Sequence, residues 1–239
     1  MAAGGAATEE VTIDPRLLGP GGTGRGGAVC ALLAEAVPGS LEVFLHHPLP
    51  PLGPLTVHAR PGHGADLRDR GALVAEARPC PVGFEPPPPV ALATVSGPGE
   101  RVGPTGGARE SCAVGCAASF EQFDGQRTAP GDGLLAASWT PAARGPADGE
   151  VLPAGLGWVV LDAAGRWAAT SATGGARLWL RRLVGVVHAP PEIGTACVVV
   201  ARDDGRHGDG LLARSALYSA SGRLLAVAAT TWDVTVRAG

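Results

Sequence analysis

Apolar residues run in short blocks along this chain, separated by clusters of glycine and proline. Within 28–37, Val29, Leu32, Leu33, Ala36 and Val37 recur at helical spacing. The residues between them are small or apolar too, so the pattern predicts a helix buried on all sides. Pro38-Gly39 ends it, and a glycine-rich stretch at 19–27 leads directly into it. Blocks at 41–46, 55–60 and 72–77 read as strands set apart by Pro and Gly clusters. Four consecutive prolines at 86–89 suit an extended connection better than a central strand, so 84–131 reads as a connector with local structure around 111–123. The pattern then resumes with a strand at 134–140. A helix opens at Pro153, a favourable first-turn position, and runs to about Ala169. Strands follow at 178–187, 196–202, 211–219 and 224–236, with Asp203-Asp204-Gly205 and Ser221-Gly222 as hairpin turns. Residues 1–10 read as a flexible tail, with a short strand beginning at 11–13.

The pattern also repeats. His47-Pro48-Leu49-Pro50-Pro51-Leu52-Gly53, then 55–60, is echoed by His188-Ala189-Pro190-Pro191-Glu192-Ile193-Gly194, then 197–202. Residues 71–77 resemble 222–228, and the helical block 30–36, carrying Glu35, resembles 158–164, carrying Asp162. Echoes in the same order imply a duplicated unit of about a hundred residues; two copies fall short of the ~3 needed to stack a solenoid. A pseudo-dimer within one chain is the expectation, with its natural site between the copies.

Composition narrows the class. Hydrophobic residues are 45% of the chain, which excludes a disordered protein. A net charge of −3 gives no general attraction to nucleic acid or an anionic membrane. The chain lacks Lys and Asn and is rich in Ala, Gly and Arg, a sign of coding bias that weakens any argument from an isolated Arg or Gly. Five Cys, an odd number in a chain this long, do not form a secreted disulfide framework. Cys112 and Cys116 would share a helix face, but no second Cys or His pair completes a zinc set, so no metal is expected. Cys30 and Cys197 lie in apolar runs and read as small core residues. The first residues do not form a signal peptide, and no run reaches the ~18 apolar residues of a spanning helix. A soluble, cytoplasmic protein is expected.

Long strands wrapped around a buried helix are the geometry of a hotdog. The segment Gly210-Leu-Leu-Ala-Arg-Ser-Ala-Leu-Tyr-Ser-Ala-Ser-Gly-Arg-Leu-Leu-Ala-Val-Ala228, with its strand to Val236, resembles the last hairpin of the double-hotdog acyl-CoA thioesterases of the thioesterase II kind. Trp158-Val-Val-Leu-Asp-Ala-Ala-Gly-Arg-Trp167 resembles their second-unit helix, and Gly26-Gly27 resembles the lead-in to their first. The chain is also similar to actinobacterial thioesterase-like proteins with a Leu-Asp-x-x-Gly-x-Trp helix. The resemblance covers about two thirds of the chain. It implies an α+β double hotdog, two tandem units each with a curved antiparallel sheet around a central helix. The units fall at 11–83 and 132–239, joined by a Pro/Gly-rich linker at 84–131. It further implies lipid metabolism and an acyl-CoA or acyl-carrier thioester as substrate. CoA enters only as part of that substrate, with no other cofactor, and a homo-oligomer is left open. The family carries a catalytic Asp where this chain has Asp162. It places a Gln on the last strand where this chain has Thr230, whose reach is shorter.

Thioester hydrolysis needs a carboxylate to activate water or attack the carbonyl, donors for the developing oxyanion, and a groove for the acyl chain. Asp162 is the leading carboxylate, because a lone acid on an apolar helix is costly unless solvated, paired or protonated. The competing reading pairs it with Arg166, one turn on. Glu35 is the matching acid of the first unit; its plainer reading is a solvated helix-end residue. Gly26 and Gly27 are candidate oxyanion donors at a helix N-terminus, or simply a turn. Thr230 and Thr231 are candidates to hold water, Trp158 to border an acyl tunnel; each is equally at home as a structural residue. Two alternatives remain. A hydratase/dehydratase would use His47 or His188 facing an acid across the units, and a non-catalytic acyl-binding protein would have let its site decay.

Overall fold

The computed structural model describes residues 7–13, 26–47, 53–96, 124–128, 133–141, 155–173 and 178–234. In chain order the elements are β1 (Ala7–Val11), α1 (Gly26–Ala36), β2 (Leu41–Leu45), β3 (Leu55–Arg60), β4 (Gly64–Asp69) and β5 (Ala72–Pro79). Then come α2 (Leu92–Ser96), β6 (Asp124–Thr128), β7 (Leu134–Trp139), α3 (Leu156–Ala172), β8 (Leu178–Val187), β9 (Cys197–His207), β10 (Gly210–Ser219) and β11 (Leu224–Val234). The strands make one sheet in the order β1-β3-β4-β5-β2-β8-β11-β10-β9-β7-β6, antiparallel at every pairing.

That order has a centre. Outward from the β2–β8 pair, one side reads β2, β5, β4, β3, β1 and the other β8, β11, β10, β9, β7, with β6 added at the edge. The sequence echoes fall at matching ranks: 55–60 is β3 and 197–202 lies in β9, while 72–77 lies in β5 and 224–228 in β11. The helical echo falls on α1 and α3, which pack against each other. Both helices lie on the same face of the sheet, where one large apolar cluster joins Val29, Cys30 and Leu33 of α1 and Val159, Leu161 and Ala164 of α3 to inward residues such as Val43, Leu67, Leu183 and Ala228. Nearly every side of α3 is buried, which its run of Ala and Gly between large residues permits.

The outer face differs between the halves. Across β7, β9, β10 and β11 it is apolar and carries Ala136, Val198, Val200, Ala216, Tyr218 and Val227. The chain covers this face itself: Val82, Phe84, Val90, Leu92 and Val95 pack onto it. The Tyr218 hydroxyl donates to the Pro87 carbonyl at 2.5 Å, and Arg214 donates to the Glu85 carbonyl at 2.9 Å. The proline run is therefore an extended strap, with backbone carbonyls left free to accept bonds from the sheet. On the other half the outer face is polar, with Thr56, His58, Asp66, Arg68 and Glu76 on alternate positions.

Several elements depart from the sequence expectation. The predicted tail contains β1, an edge strand whose side chains are largely exposed and which therefore shows no apolar signal. Strand β4 went unpredicted because only Ala65 and Leu67 face the core, while Asp66 and Arg68 face outward. The connector expected at 84–131 includes α2 and β6. Asp203-Asp204-Gly205 is not a hairpin turn. It is a bulge inside β9, where Leu212 pairs with Gly205 and Ala213 with Asp203. Gly205 has φ of +84°, so the same left-handed glycine that would close a turn here accommodates an extra residue. The chain reverses instead at Gly208-Asp209. Helix α1 begins at Gly26, so both glycines belong to its first turn. Helix α3 begins at Leu156; Pro153, Cys112 and Cys116 lie outside the described residues.

The centre of the sheet holds a buried charge. Glu42 on β2 is 2% exposed and accepts bonds from Arg78 of β5 and Arg182 of β8, each at 2.5 Å. Both guanidinium groups also lie over the Phe44 ring, 5.5 and 5.7 Å from its centroid. The two sides of this cluster are unequal. The carboxylate is walled off from water, while the arginine side chains are 64% and 42% exposed. Removing both arginines strands a buried charge, whereas neutralising Glu42 leaves two solvated cations. We expect Arg78→Ala/Arg182→Ala to cost ~3–5 kcal/mol and Glu42→Gln about 1 kcal/mol in urea unfolding. Equal costs, or the reverse order, would contradict this account.

Candidate functional site

The N-terminus of α1 presses directly on α3. A Cβ on Gly27 would lie 2.6 Å from the Trp158 carbonyl oxygen, 2.7 Å from Val159 Cα and 2.8 Å from Asp162 Cβ. A Cβ on Gly26 would run into the tip of the Leu180 side chain on β8. That side chain could turn aside, whereas Gly27 allows an approach to the α3 backbone that no side chain would. At that contact the Gly27 N–H donates to Asp162 Oδ2 at 2.9 Å, across 135 residues of sequence.

This bond gives the lone acid on α3 a partner across the helix interface. The first N–H groups of a helix have no partner within it, and α1 has no acid in its own first turn. Asp162, 6% exposed, supplies one from the neighbouring helix, and the positive end of α1 favours a carboxylate there. One turn beyond Gly27, Cys30 is fully buried. Burial pushes its thiol well above the ordinary value, and the Asp162 charge adds to the shift.

Thr230 lies beneath α3 on β11, 2% exposed. Its hydroxyl donates to the Ala213 carbonyl at 3.1 Å and accepts from Trp232 Nε1 at 2.9 Å. A Cβ on Gly165, one turn after Asp162, would lie 2.6 Å from Thr230 Oγ1. Sequence reasoning missed Ser215 on β10. It is 0% exposed, and its hydroxyl donates to the Leu161 carbonyl at 2.9 Å. The available signal was a hydroxyl residue on an apolar strand.

The remaining candidates scatter. Trp158 is buried at the α1–α3 contact. Thr231, adjacent to Thr230, points to the opposite face of the sheet, on the side of its cross-strand partner Leu212. Glu35 is exposed near the C-terminal end of α1, as a solvated helix-end acid would be. His47 and His188 are both exposed, and among the described residues neither ring bonds to a carboxylate.

The sequence matches no protein-family model and no curated protein. Solved structures do match. A protein from Alicyclobacillus acidocaldarius described as having a hot dog fold is 13% identical, with a TM-score of 0.54 over 98% of this chain and 97% of that one. The chain has a hotdog fold. The acyl-CoA thioesterase II TesB2 from Mycobacterium marinum superposes with a TM-score of 0.57 at 13% identity, over 91% of each chain. The dehydratase domain of PpsC from Mycobacterium tuberculosis, solved in complex with C12:1-CoA, gives 0.61 at 19% identity over 97% of this chain and 95% of that one. Among the described residues, no helix is long and apolar enough to cross a membrane.

Two predictions follow from the contact and its thiol. Alanine is the better helix former, so Gly27→Ala would stabilise an isolated helix. Here the clash with the α3 backbone decides the sign, and we expect a loss of ~3 kcal/mol, the upper part of the overpacking range. Gly83→Ala, in open space, should stay within ~0.5 kcal/mol. Comparable values for the two in urea unfolding would show that the contact is loose.

Burial and the Glu192 charge also lift the Cys197 thiol, to about 11. A thiol whose value is raised by folding contributes stability below its unfolded value of about 8.5 and loses it as pH rises toward the folded value. Unfolding free energy should therefore fall between about pH 8.5 and about 11, less steeply in Cys30→Ala and Cys197→Ala. An unchanged slope in both variants would assign the pH dependence to other groups.

Proposed function

We propose that this protein hydrolyses a thioester of coenzyme A or an acyl carrier, with Asp162 as the base. The carrying observation is the carboxylate of α3 held at the N-terminus of α1 by the Gly27 N–H. In this mechanism Asp162 takes a proton from water as the water oxygen attacks the thioester carbonyl. The first-turn N–H groups of α1 steady the negative charge on the carbonyl oxygen. The C–S bond then breaks, the thiolate leaves and is protonated, and the acid is released. Backbone donors and a helix dipole suit this step because they need no reorganisation as charge develops.

The chain is read as a double hotdog, a pseudo-dimer whose units meet at the β2–β8 pair. The mirrored strand order and the sequence echoes at matching ranks support this. The units are taken at 11–83, extended to include β1, and 132–239, joined by 84–131. One competent site is proposed. Asp162 belongs to the second unit and its helix N-terminus to the first, while Glu35, the only acid on α1, is solvated. The enzyme is placed in the cytoplasm, needing no cofactor beyond the CoA of its substrate. TesB2 and PpsC, whose descriptions name acyl-CoA thioesterase activity and a CoA ligand, favour an acyl thioester for a chain of this shape. The dehydratase reading needs a histidine facing an acid across the two units; among the described residues, exposed His47 and His188 do not provide one, and His46 pairs with Glu76 within the first unit at an exposed position.

Free-thiol release across short, medium and long acyl-CoAs tests the proposal. Asp162→Asn should lower turnover at least ~100-fold, within the range that loss of a general base costs, and Glu35→Gln should stay near wild type. Loss in Glu35→Gln alone would move the site to the far end of α1. A wild-type protein that releases no thiol but dehydrates 3-hydroxyacyl-CoA would replace the hydrolase reading with the dehydratase one.

A further inference from the structure

We propose that Ser215 and Thr230 are positioning residues, which fix the rotation of α3 and thereby aim Asp162 at the N-terminus of α1. The proposal rests on the reading of Asp162 as the base.

Helix α3 meets two surfaces with two different faces. Trp158, Val159 and Asp162 meet α1 at Gly27. Leu161 and Gly165, four apart and so on one face, meet the sheet at Ser215 and Thr230. Successive helical residues are about 100° apart, so holding Leu161 against the sheet turns Asp162 about 100° away from it, toward α1. The platform under α3 is made of small residues. Ser215 pairs with Ala228 and Thr230 with Ala213, side by side on the inner face. Together with Gly165, this lets the helix sit close to the strands.

Small apolar residues alone would let a helix roll, because apolar contact is non-directional. The two hydroxyls add direction. Ser215 donates to one specific carbonyl, that of Leu161, whose second lone pair remains available beyond the helical bond. Thr230 is itself held by Ala213 and Trp232, so the oxygen facing Gly165 sits at a fixed height. Neither hydroxyl sees water: Ser215 is 0% and Thr230 2% exposed. A roll of α3 would leave Ser215 unsatisfied and turn Gly165 away, bringing a neighbour that has a side chain over Thr230. Thr230 thereby acts on the candidate site through the helix, with its hydroxyl committed to protein partners.

The test compares Ser215→Ala, Thr230→Val and Thr230→Ser with wild type and Asp162→Ala, in the full chain. One readout is kcat and KM on whichever acyl-CoA the wild type turns over. The other needs no activity: amide hydrogen exchange at Gly27, relative to Leu67 on β4. Ser215→Ala and Thr230→Val should lower kcat about 10- to 100-fold, the scale of a sub-ångström to ångström misplacement, with KM within about twofold. Gly27 exchange should accelerate toward the Asp162→Ala rate while Leu67 is unchanged, and Thr230→Ser should restore both readouts. If Thr230→Val does not fold, Ser215→Ala and Thr230→Ser carry the comparison. Gly27 exchange at the wild-type rate in Ser215→Ala overturns the positioning role, as does parallel acceleration at Gly27 and Leu67. If the wild type hydrolyses nothing, selective acceleration at Gly27 still upholds the helix lock while the hydrolase reading falls.

Discussion

Gly27 and Asp162 meet where two helices share the inside of one curved sheet. Each needs the other for a physical reason. The first turn of α1 has N–H groups to satisfy and no acid of its own, and α3 carries an acid in an otherwise apolar setting. The Gly27–Asp162 hydrogen bond serves both, and the missing Cβ of Gly27 makes the distance possible. Much else follows from holding α1 and α3 this close. Gly165 must also be bare to let α3 down onto Thr230. The helices can be this slim because Ala and Gly take up so much of them.

The sheet is secured by different means on its two faces. Inside, burial of Val, Leu and Ala against the helices does the work, and the close-packed interior leaves little freedom. Outside, one half is covered by the chain's own proline-rich strap, and the other is left polar. At the centre, Glu42 ties β5, β2 and β8 together through two arginines. A buried carboxylate is a poor source of net stability compared with an apolar residue, but it penalises any register that leaves it unpaired. At the β9 bulge, Asp204 pairs with Arg202 and Arg214, and Arg214 reaches on to the strap. The strap and the bulge are thus held by the same side chain.

The legibility of the chain followed exposure and pattern. Helix α3, buried on nearly every side, and strands with apolar inner faces were readable, because burial writes itself into composition; α1, expected to be buried all round, is exposed at Glu35 toward its C-terminal end. Strand β4, polar on alternate positions, and β1, an exposed edge, were not. The Asp203-Asp204-Gly205 run was misread because a turn and a bulge ask the same backbone freedom of glycine. Asp162 stood out as an expensive acid, and its glycine partners stood out as a helix lead-in. Their pairing did not, because 135 residues separate them.

The sequence by itself determined α1, β2, β3, β5, β7, α3 and the four last strands in their order, the echoes between the halves, the buried character of α3 and the choice of Asp162 as candidate acid, since each depends on local spacing and residue type. Only the tertiary structure decided what the acid faces, which threonine of the Thr230-Thr231 pair lies under the helix, and that Ser215 belongs beside it. It also turned the first part of the expected linker, Phe84 to Val95, into a cover for the sheet. These outcomes depend on how far α3 sinks toward the strands and how it is rotated there. That depth and rotation come from contacts between residues far apart in the chain, at glycines whose importance lies in the atoms they lack.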